Sequence, residues 1–116
     1  MTDPNCLFCK IAAKQIPATM VYEDDDLVAF KDIAPQAPVH IVLAPRVHFA
    51  GLGELTEDLA PLVGRIALAA KGLAGSLGIA AGGYRLVSNC GPDACQSVQH
   101  LHFHLLGGAP MSGRLG

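Results

Sequence analysis

Hydrophobic residues in the middle of the chain recur at intervals of three or four, which places them on one face of an α-helix. They are Leu59, Val63, Ile66, Ala70, Leu73 and Leu77. Thr56 is placed to cap the N-terminus of this helix, and Glu57 and Asp58 favour the positive end of its dipole. Gly78 is placed to end it. The pattern therefore predicts one long amphipathic helix.

Five shorter apolar segments are bounded by turn-forming residues, which is typical of β-strands. They cover residues 20–22, 27–31, 40–45, 84–88 and 98–106. A short helix is predicted over residues 6–14, with Pro17 marking its end. These elements favour an α+β fold with an antiparallel sheet of about five strands, one long helix and one short helix. With no internal repeat or linker, residues 1–116 are expected to form a single domain.

The last predicted strand carries three histidines at alternate positions, His100, His102 and His104. Because successive side chains of a strand point to opposite faces, the three imidazoles are expected to share one face. Imidazole can titrate, bind a metal or attack phosphorus near neutral pH. From these residues alone the group is a candidate nucleophilic site, a metal-binding strand, or a chance cluster on a solvated face.

Composition narrows the classes of function. The formal net charge is −2 and no run of basic residues is present, which argues against a nucleic-acid partner. No apolar stretch reaches membrane-spanning length, so no membrane partner is expected. The first residues lack the charged and apolar parts of a signal peptide, which makes a cytoplasmic location the expectation.

The four cysteines differ in what they indicate. Cys6 and Cys9 form a C-x-x-C pair, which in a reducing compartment more often binds a metal or carries out redox chemistry than forms a structural disulfide. Cys90 and Cys95 lie in a loop that contains glycine and proline, and we expect them to be small buried residues or ordinary loop residues.

The run from His100 to Gly108 reads His-apolar-His-apolar-His-apolar-apolar-Gly-Gly, which resembles the histidine triad (HIT) motif of nucleotide hydrolases and transferases. Residues 22–25, 29–33, 35–40 and 96–98 resemble, in the same order, segments of the Hint branch of that superfamily, the histidine triad nucleotide-binding proteins. The resemblance covers nearly the whole chain, from about Cys6 to Met111. It implies the HIT fold.

The resemblance also implies a function: a purine nucleoside phosphoramidase or nucleotide hydrolase that acts on nucleoside 5′-monophosphate derivatives through a nucleotidyl-histidine intermediate. A dinucleoside polyphosphate hydrolase or a nucleotidyltransferase of the same superfamily is an alternative. So is a non-catalytic nucleotide- or zinc-binding regulator. The implied partners are a purine nucleotide of the AMP or GMP type and a second copy of the chain, in a homodimer.

Catalytic roles follow from the resemblance by position. His102 would be the nucleophile, with His100 and His104 as the other triad members, and His104 would contact the phosphate or the bridging atom. Ser97 would hydrogen-bond the leaving group and help to protonate it, since a hydroxyl both donates and accepts. Asp32 would accept hydrogen bonds from the ribose hydroxyls.

Further positions are implied to bind the nucleotide. Asn89 would contact it, and the loop of residues 91–97, including Cys95 and Gln96, would offer backbone N–H groups to the phosphate. The Hint branch usually has glycines where Ala94 and Cys95 stand, so a Cβ at Cys95 is expected to crowd the ligand. Apolar side chains would form a slot for the base, although from the sequence alone they would be read as core: Leu7, Phe8, Ile11, Phe30, Ile33 and Leu43.

A structural zinc site is also expected. Cys6, Cys9, His48 and His100 are a possible tetrahedral Cys₂His₂ set. Relatives within the superfamily place zinc on a similar C-x-x-C pair and two histidines, one of them the first histidine of the triad. The alternative is a reduced thiol pair beside the base slot. The C-terminal residues 109–116 contain no tryptophan, whereas many Hint-branch tails carry one.

Overall fold

The computed structural model describes residues 2–115, which form a five-stranded antiparallel sheet with a helix on each face. The predicted α+β architecture is confirmed. The spatial strand order is β1-β2-β3-β5-β4. The helices are α1 (Leu7–Ala12) and α2 (Ala60–Ser76), and the strands are β1 (Met20–Glu23), β2 (Leu27–Lys31), β3 (Val39–Pro45), β4 (Tyr84–Val87) and β5 (Phe103–Gly107). Two short 3₁₀ helices cover Leu52–Glu54 and Pro92–Ala94.

The sheet is buried on both faces, and the alternation of side chains along β3 separates the two cores. Ile41 and Leu43 pack into the larger core under α2, whose Ile66, Ala70 and Leu73 are buried as the stripe predicted. The side chains between them on β3 belong to the smaller core against α1, with Phe8, Val28, Phe30, Val42 and Ala44 among its members.

The long helix begins later than predicted. It starts at Ala60, with Pro61 in one of its first two positions. Proline has no N–H to donate, so it is tolerated only in the first helical turn, and it moves the start towards itself. Thr56 instead caps the turn before the helix, because its Oγ1 accepts the Leu59 N–H at 3.3 Å. The helix ends at Ser76, and Gly78 follows two residues later with φ of +78°, the conformation in which a glycine ends a helix, as predicted.

The last strand is also shorter than predicted. It begins at Phe103, and its pairing with β3 starts at Leu43. Two residues further along β3 stands Pro45, which cannot donate to a ladder. Leu101 instead donates its N–H to the Phe49 carbonyl at 2.7 Å. His100 and His102 therefore lie in irregular chain before the strand. Within residues 2–115, no helix combines the length and apolar character that a bilayer crossing requires.

Candidate functional site

A cavity of about 340 Å³ opens between α1 and the sheet. One wall is α1, the floor is β2 and β3, and the far side is formed by the segment that leads into β5. It brings together most of the side chains that were predicted to bind a nucleotide: Leu7, Phe8, Ile11, Phe30, Asp32, Ile33, Ser97, His102 and His104. An apolar slot thus adjoins a polar end that contains two imidazoles, a carboxylate and a hydroxyl.

One predicted slot residue lies elsewhere. Leu43 is buried in the core under α2, on the opposite face of the sheet from the cavity. Its neighbour Val42 lines the cavity instead. The prediction for Leu43 is wrong because successive residues of a strand point to opposite faces, and a shift of one position exchanges the faces.

Other predicted nucleotide contacts do not line this cavity. Asn89 is half-buried just beyond β4. The Gln96 side chain is engaged in holding its own loop: its Nε2 donates to the carbonyls of Ala50 (2.6 Å) and Val98 (2.9 Å), and its Oε1 accepts the Gly91 N–H (2.9 Å). In this conformation the Gln96 side chain stabilises the loop.

The loop amides are used within the loop as well. The N–H groups of Ala94 and Gln96 donate to the Gly91 carbonyl at 3.3 and 3.1 Å, and the Cys95 N–H donates to the Pro92 carbonyl at 3.0 Å. In this conformation these three amides are therefore engaged within the loop, and the supply of N–H groups to a phosphate by residues 91–97 stays a prediction. Ser97, which is exposed in the cavity, is the loop residue placed to meet a ligand.

His102 is held as a neutral imidazole with one free nitrogen. Its Nδ1 lies 2.7 Å from the His100 carbonyl oxygen, which can only accept, so Nδ1 carries the proton and donates. Burial lowers the pKa of His102 below its ordinary value of 6.5. The Phe8 ring meets the imidazole edge to face at a centroid distance of 4.8 Å. The unprotonated Nε2 therefore has the form that a nucleophile requires.

His40 is a site residue to which the sequence analysis gave no role. The backbone N–H of Gln36 donates to its Nδ1 at 3.0 Å, which places the His40 proton on Nε2. That Nε2 lies 2.8 Å from His104 Nδ1 and 3.4 Å from Asp32 Oδ2. With Nδ1 accepting from His40, neutral His104 carries its own proton on Nε2. Burial lowers the pKa of His104, which favours this neutral form.

The position of His40 along β3 could have indicated that it belongs to the site. It is two residues before Val42, so the two side chains share the cavity face of the strand. Val42 pairs directly with His104 across the β3–β5 ladder. The pairing of the two strands, and not the spacing within either of them, brings His40 and His104 together.

The four predicted metal ligands meet at one point. Cys6 Sγ lies 3.3 Å and Cys9 Sγ 3.6 Å from His100 Nδ1, and His48 Nδ1 lies 3.5 Å from Cys9 Sγ and 3.2 Å from His100 Nδ1. A regular tetrahedron of zinc ligands has edges of about 3.6 Å between S and N and about 3.3 Å between two N atoms. All four ligand atoms lie within 4.8 Å of one another. The donor set fits a tetrahedral metal ion.

Protonation also suits these residues to a metal. His100 is fully buried, and its Nε2 donates to the Pro45 carbonyl at 2.7 Å, so Nδ1 carries no proton and its lone pair is available to a metal. Burial lowers the pKa of His100 to about 4, so the ring stays neutral. Burial raises the pKa of the Cys9 thiol, and a cation beside it would favour the thiolate.

A second group, Asp32, His40 and His104, also places possible ligand atoms close together. Its protonation is different. Because the backbone N–H of Gln36 donates to Nδ1 of His40, the nitrogen that faces His104 carries a proton and has no lone pair for a metal. The hydrogen bonds thus distinguish the two groups. The Cys/His cluster can bind a metal, whereas His40 and His104 form a hydrogen-bonded pair whose contact carries a proton.

Comparison with known proteins identifies relatives over most of the chain. A family model described as scavenger mRNA decapping enzyme C-term binding matches residues 5–115. The chain is 46% identical over 113 residues to "Adenylylsulfatase HINT1" of Arabidopsis thaliana, covering 96% of this chain and 76% of that one. It is 47% identical over 108 residues to a "14 kDa zinc-binding protein" of Brassica juncea, covering 91% and 95%.

A solved structure is similar over almost its full length. The HIT family hydrolase from Clostridium thermocellum superposes with a TM-score of 0.96 at 47% identity, covering 98% of this chain and 99% of that one. The family model covers nearly the whole chain, and the two relatives and this structure are 46–47% identical to it over most of both chains. The chain therefore belongs to the histidine triad (HIT) family.

Proposed function

We propose that this protein hydrolyses purine nucleoside 5′-monophosphate derivatives, foremost phosphoramidates, through a covalent nucleotidyl-histidine. The observation that carries the proposal is the state of His102. Its Nδ1–H is fixed on the His100 carbonyl, its pKa is lowered by burial, and it lines a cavity with an apolar slot. A neutral imidazole with an unprotonated nitrogen in a nucleotide-sized cavity is suited to attack phosphorus.

The remaining groups suit the other parts of the substrate. The base would lie in the slot beside Leu7, Phe8 and Ile11. Asp32 would accept hydrogen bonds from the ribose hydroxyls. Its Oδ1 accepts the Ala34 N–H at 2.8 Å, and the carboxylate keeps acceptor capacity for the ribose. His104, with its proton on Nε2, would donate to a phosphoryl oxygen as charge develops.

The reaction has two steps. In the first, the lone pair of His102 Nε2 forms a bond to the α-phosphorus, the bond from phosphorus to the leaving nitrogen breaks, and the amine leaves with a proton that the Ser97 hydroxyl passes on from solvent. In the second, water attacks the same phosphorus and gives one proton back to solvent, the bond to Nε2 breaks, and the nucleoside monophosphate is released. His102 returns to its neutral form, so each turnover consumes one water molecule.

The name of one relative favours a second leaving group. The Arabidopsis protein is named an adenylylsulfatase. Hydrolysis of adenylyl sulfate would use the same attack on the α-phosphorus, with sulfate leaving in place of the amine. Sulfate is already an anion and needs no proton in order to leave. We therefore expect the sulfate substrate to depend less on Ser97 than the phosphoramidate does.

We further propose a structural zinc ion on Cys6, Cys9, His48 and His100. The proposal is supported by the tetrahedral edge lengths, by the bare Nδ1 of His100 and by the zinc-binding name of the Brassica relative. With four protein ligands the ion would leave no open position, so it would supply folding free energy and no catalytic chemistry.

A homodimer is proposed on the basis of the family resemblance and of one surface. Strand β4 is at the edge of the sheet, paired on one side with β5. Tyr84 on this strand is a large side chain left exposed. Within residues 2–115 the outer edge of β4 has no partner strand, and such an edge with an exposed aromatic side chain is suited to an isologous contact between two copies.

Substitution of the nucleophile tests the proposed function. His102→Ala is expected to abolish hydrolysis of an adenosine phosphoramidate while the fold and weak AMP binding persist. Circular dichroism and equilibrium dialysis with AMP monitor those two properties. Gln99→Ala, at an exposed position three residues before, is the matched control and should keep full activity. More than a tenth of the normal activity in His102→Ala would contradict the assignment.

A further inference from the structure

Helix α1 contributes to both the metal cluster and the nucleotide cavity. Cys6, at its N-cap, and Cys9 supply the two sulfur ligands. Leu7, Phe8 and Ile11 line the cavity. With only six residues, α1 is far shorter than the ~12–15 residues that a helix needs to be stable alone in water. Its position therefore depends on what holds it from outside.

The segment that leads into β5 also contributes to both the metal cluster and the nucleotide cavity. His100 places Nδ1 in the metal cluster, and its carbonyl oxygen fixes the His102 imidazole at 2.7 Å. The Phe8 ring lies edge to face against both imidazoles, at centroid distances of 5.9 Å from His100 and 4.8 Å from His102. Phe8 thus joins the two segments at a point between metal and nucleotide.

We propose that metal binding at the Cys/His cluster and nucleotide binding in the cavity are positively coupled through α1. A metal ion bound by Cys6, Cys9 and His100 fixes α1 against the triad segment. Nucleotide then binds to a wall that is already ordered, without the entropic cost of ordering it. By thermodynamic linkage, nucleotide must tighten metal binding by the same factor. This inference rests on the proposed function, because it needs a nucleotide in the cavity.

The test measures the coupling from both directions. The affinity for radiolabelled AMP is determined by equilibrium dialysis for zinc-loaded protein and for protein stripped with a chelator. Zinc affinity is determined by competition with a chelating dye, with and without saturating AMP. Both ratios should be about fivefold or more, within the usual range for coupled sites, and equal to one another.

Two variants distinguish coupling through Phe8 from a general loss of AMP affinity. Phe8→Leu keeps an apolar side chain but removes the ring contacts to His100 and His102, so the coupling ratio should fall towards one. Ile11→Val trims another residue of the cavity wall by one methylene. It should weaken AMP binding in both forms alike and leave the ratio unchanged.

Hydrogen exchange shows where the metal acts. On zinc removal, amides that donate within α1 or at its end, such as those of Lys10 and Ala13, should gain more in exchange rate than those of α2 and β3, which report the loss of global stability. An equal gain throughout the chain would overturn the inference, since the metal would then act on the fold as a whole and not on α1. AMP that binds both forms equally would overturn the inference alone. AMP that fails to bind even the zinc-loaded protein would overturn the proposed function and the inference with it.

Discussion

Replacing Cys95 by glycine should stabilise the protein, because the backbone here has a conformation that favours glycine. Cys95 has φ of +60° and ψ of +38°, in the left-handed region, and its side chain is exposed. A negative φ, the condition under which cysteine would fit this loop without cost, is excluded. An L-residue in the left-handed conformation costs roughly 1–2 kcal/mol, a cost that glycine avoids.

The net gain is smaller than this cost. Glycine has more freedom in the unfolded chain, which offsets about 0.4–1 kcal/mol. We expect Cys95→Gly to raise the free energy of unfolding by about 0.5–1 kcal/mol, and Tm by roughly 2–5 °C for a domain of this size. Cys95→Ala is the matched control, since it removes the thiol and keeps the left-handed penalty. Urea denaturation followed by circular dichroism measures both variants, and a glycine variant no more stable than the alanine variant would refute the reasoning.

The same substitution should affect catalysis. The Cβ at Cys95 is expected to crowd a bound phosphate, so its removal should let the loop move closer, and one recovered hydrogen bond to a charged phosphate is worth roughly 1.5–3 kcal/mol. The ratio of kcat/KM for Cys95→Gly over the natural chain should therefore be about ten or more. A ratio near or below one would show that Cys95 does not hold the loop away from the phosphate.

Three further outcomes are expected. His40→Leu should lower kcat/KM for the phosphoramidate about tenfold through loss of the hydrogen bond that orients His104, and unchanged steady-state kinetics would contradict this role. Because burial depresses the pKa of His102 below 6.5, the nucleophile stays neutral as pH falls through 6.5; the acid limb of the kcat/KM profile should lie below that value, and a midpoint at or above it would contradict the assignment. Zinc should be present near unit stoichiometry in untagged protein, be lost on acidification, and stabilise the fold; zinc that survives in a Cys6→Ala/Cys9→Ala variant, measured by metal analysis, would reject the site.

Elements set by a local pattern could be predicted from the sequence. The stripe of Ile66, Ala70 and Leu73 identified the buried face of α2, and Gly78 marked its end. The bounds of β2 agree with the prediction for residues 27–31. These features depend on side-chain periodicity and on the conformational freedom of glycine, both of which are encoded within a few residues.

Features that depend on pairing between distant segments could not be predicted in this way. β3 is apolar at nearly every position because both of its faces are buried, so its sequence does not tell whether Val42 or Leu43 faces the cavity. The start of β5 depends on Pro45, a residue of another strand. The hydrogen bonds that occupy the amides of the loop 91–97 depend on how that loop closes on itself.

By itself the sequence determined which chemical groups are available: three imidazoles at alternate positions, a C-x-x-C pair and an apolar slot. Only the tertiary structure decided what each group can do. In the fold, Nδ1 of His102 donates to the His100 carbonyl and Nε2 of His100 donates to the Pro45 carbonyl. Nδ1 of His40 accepts the backbone N–H of Gln36. Those contacts fix which ring nitrogen carries the proton, and therefore which histidine can attack, donate or bind a metal. The partners come from other segments of the folded chain, so spacing along the sequence carries no information about them.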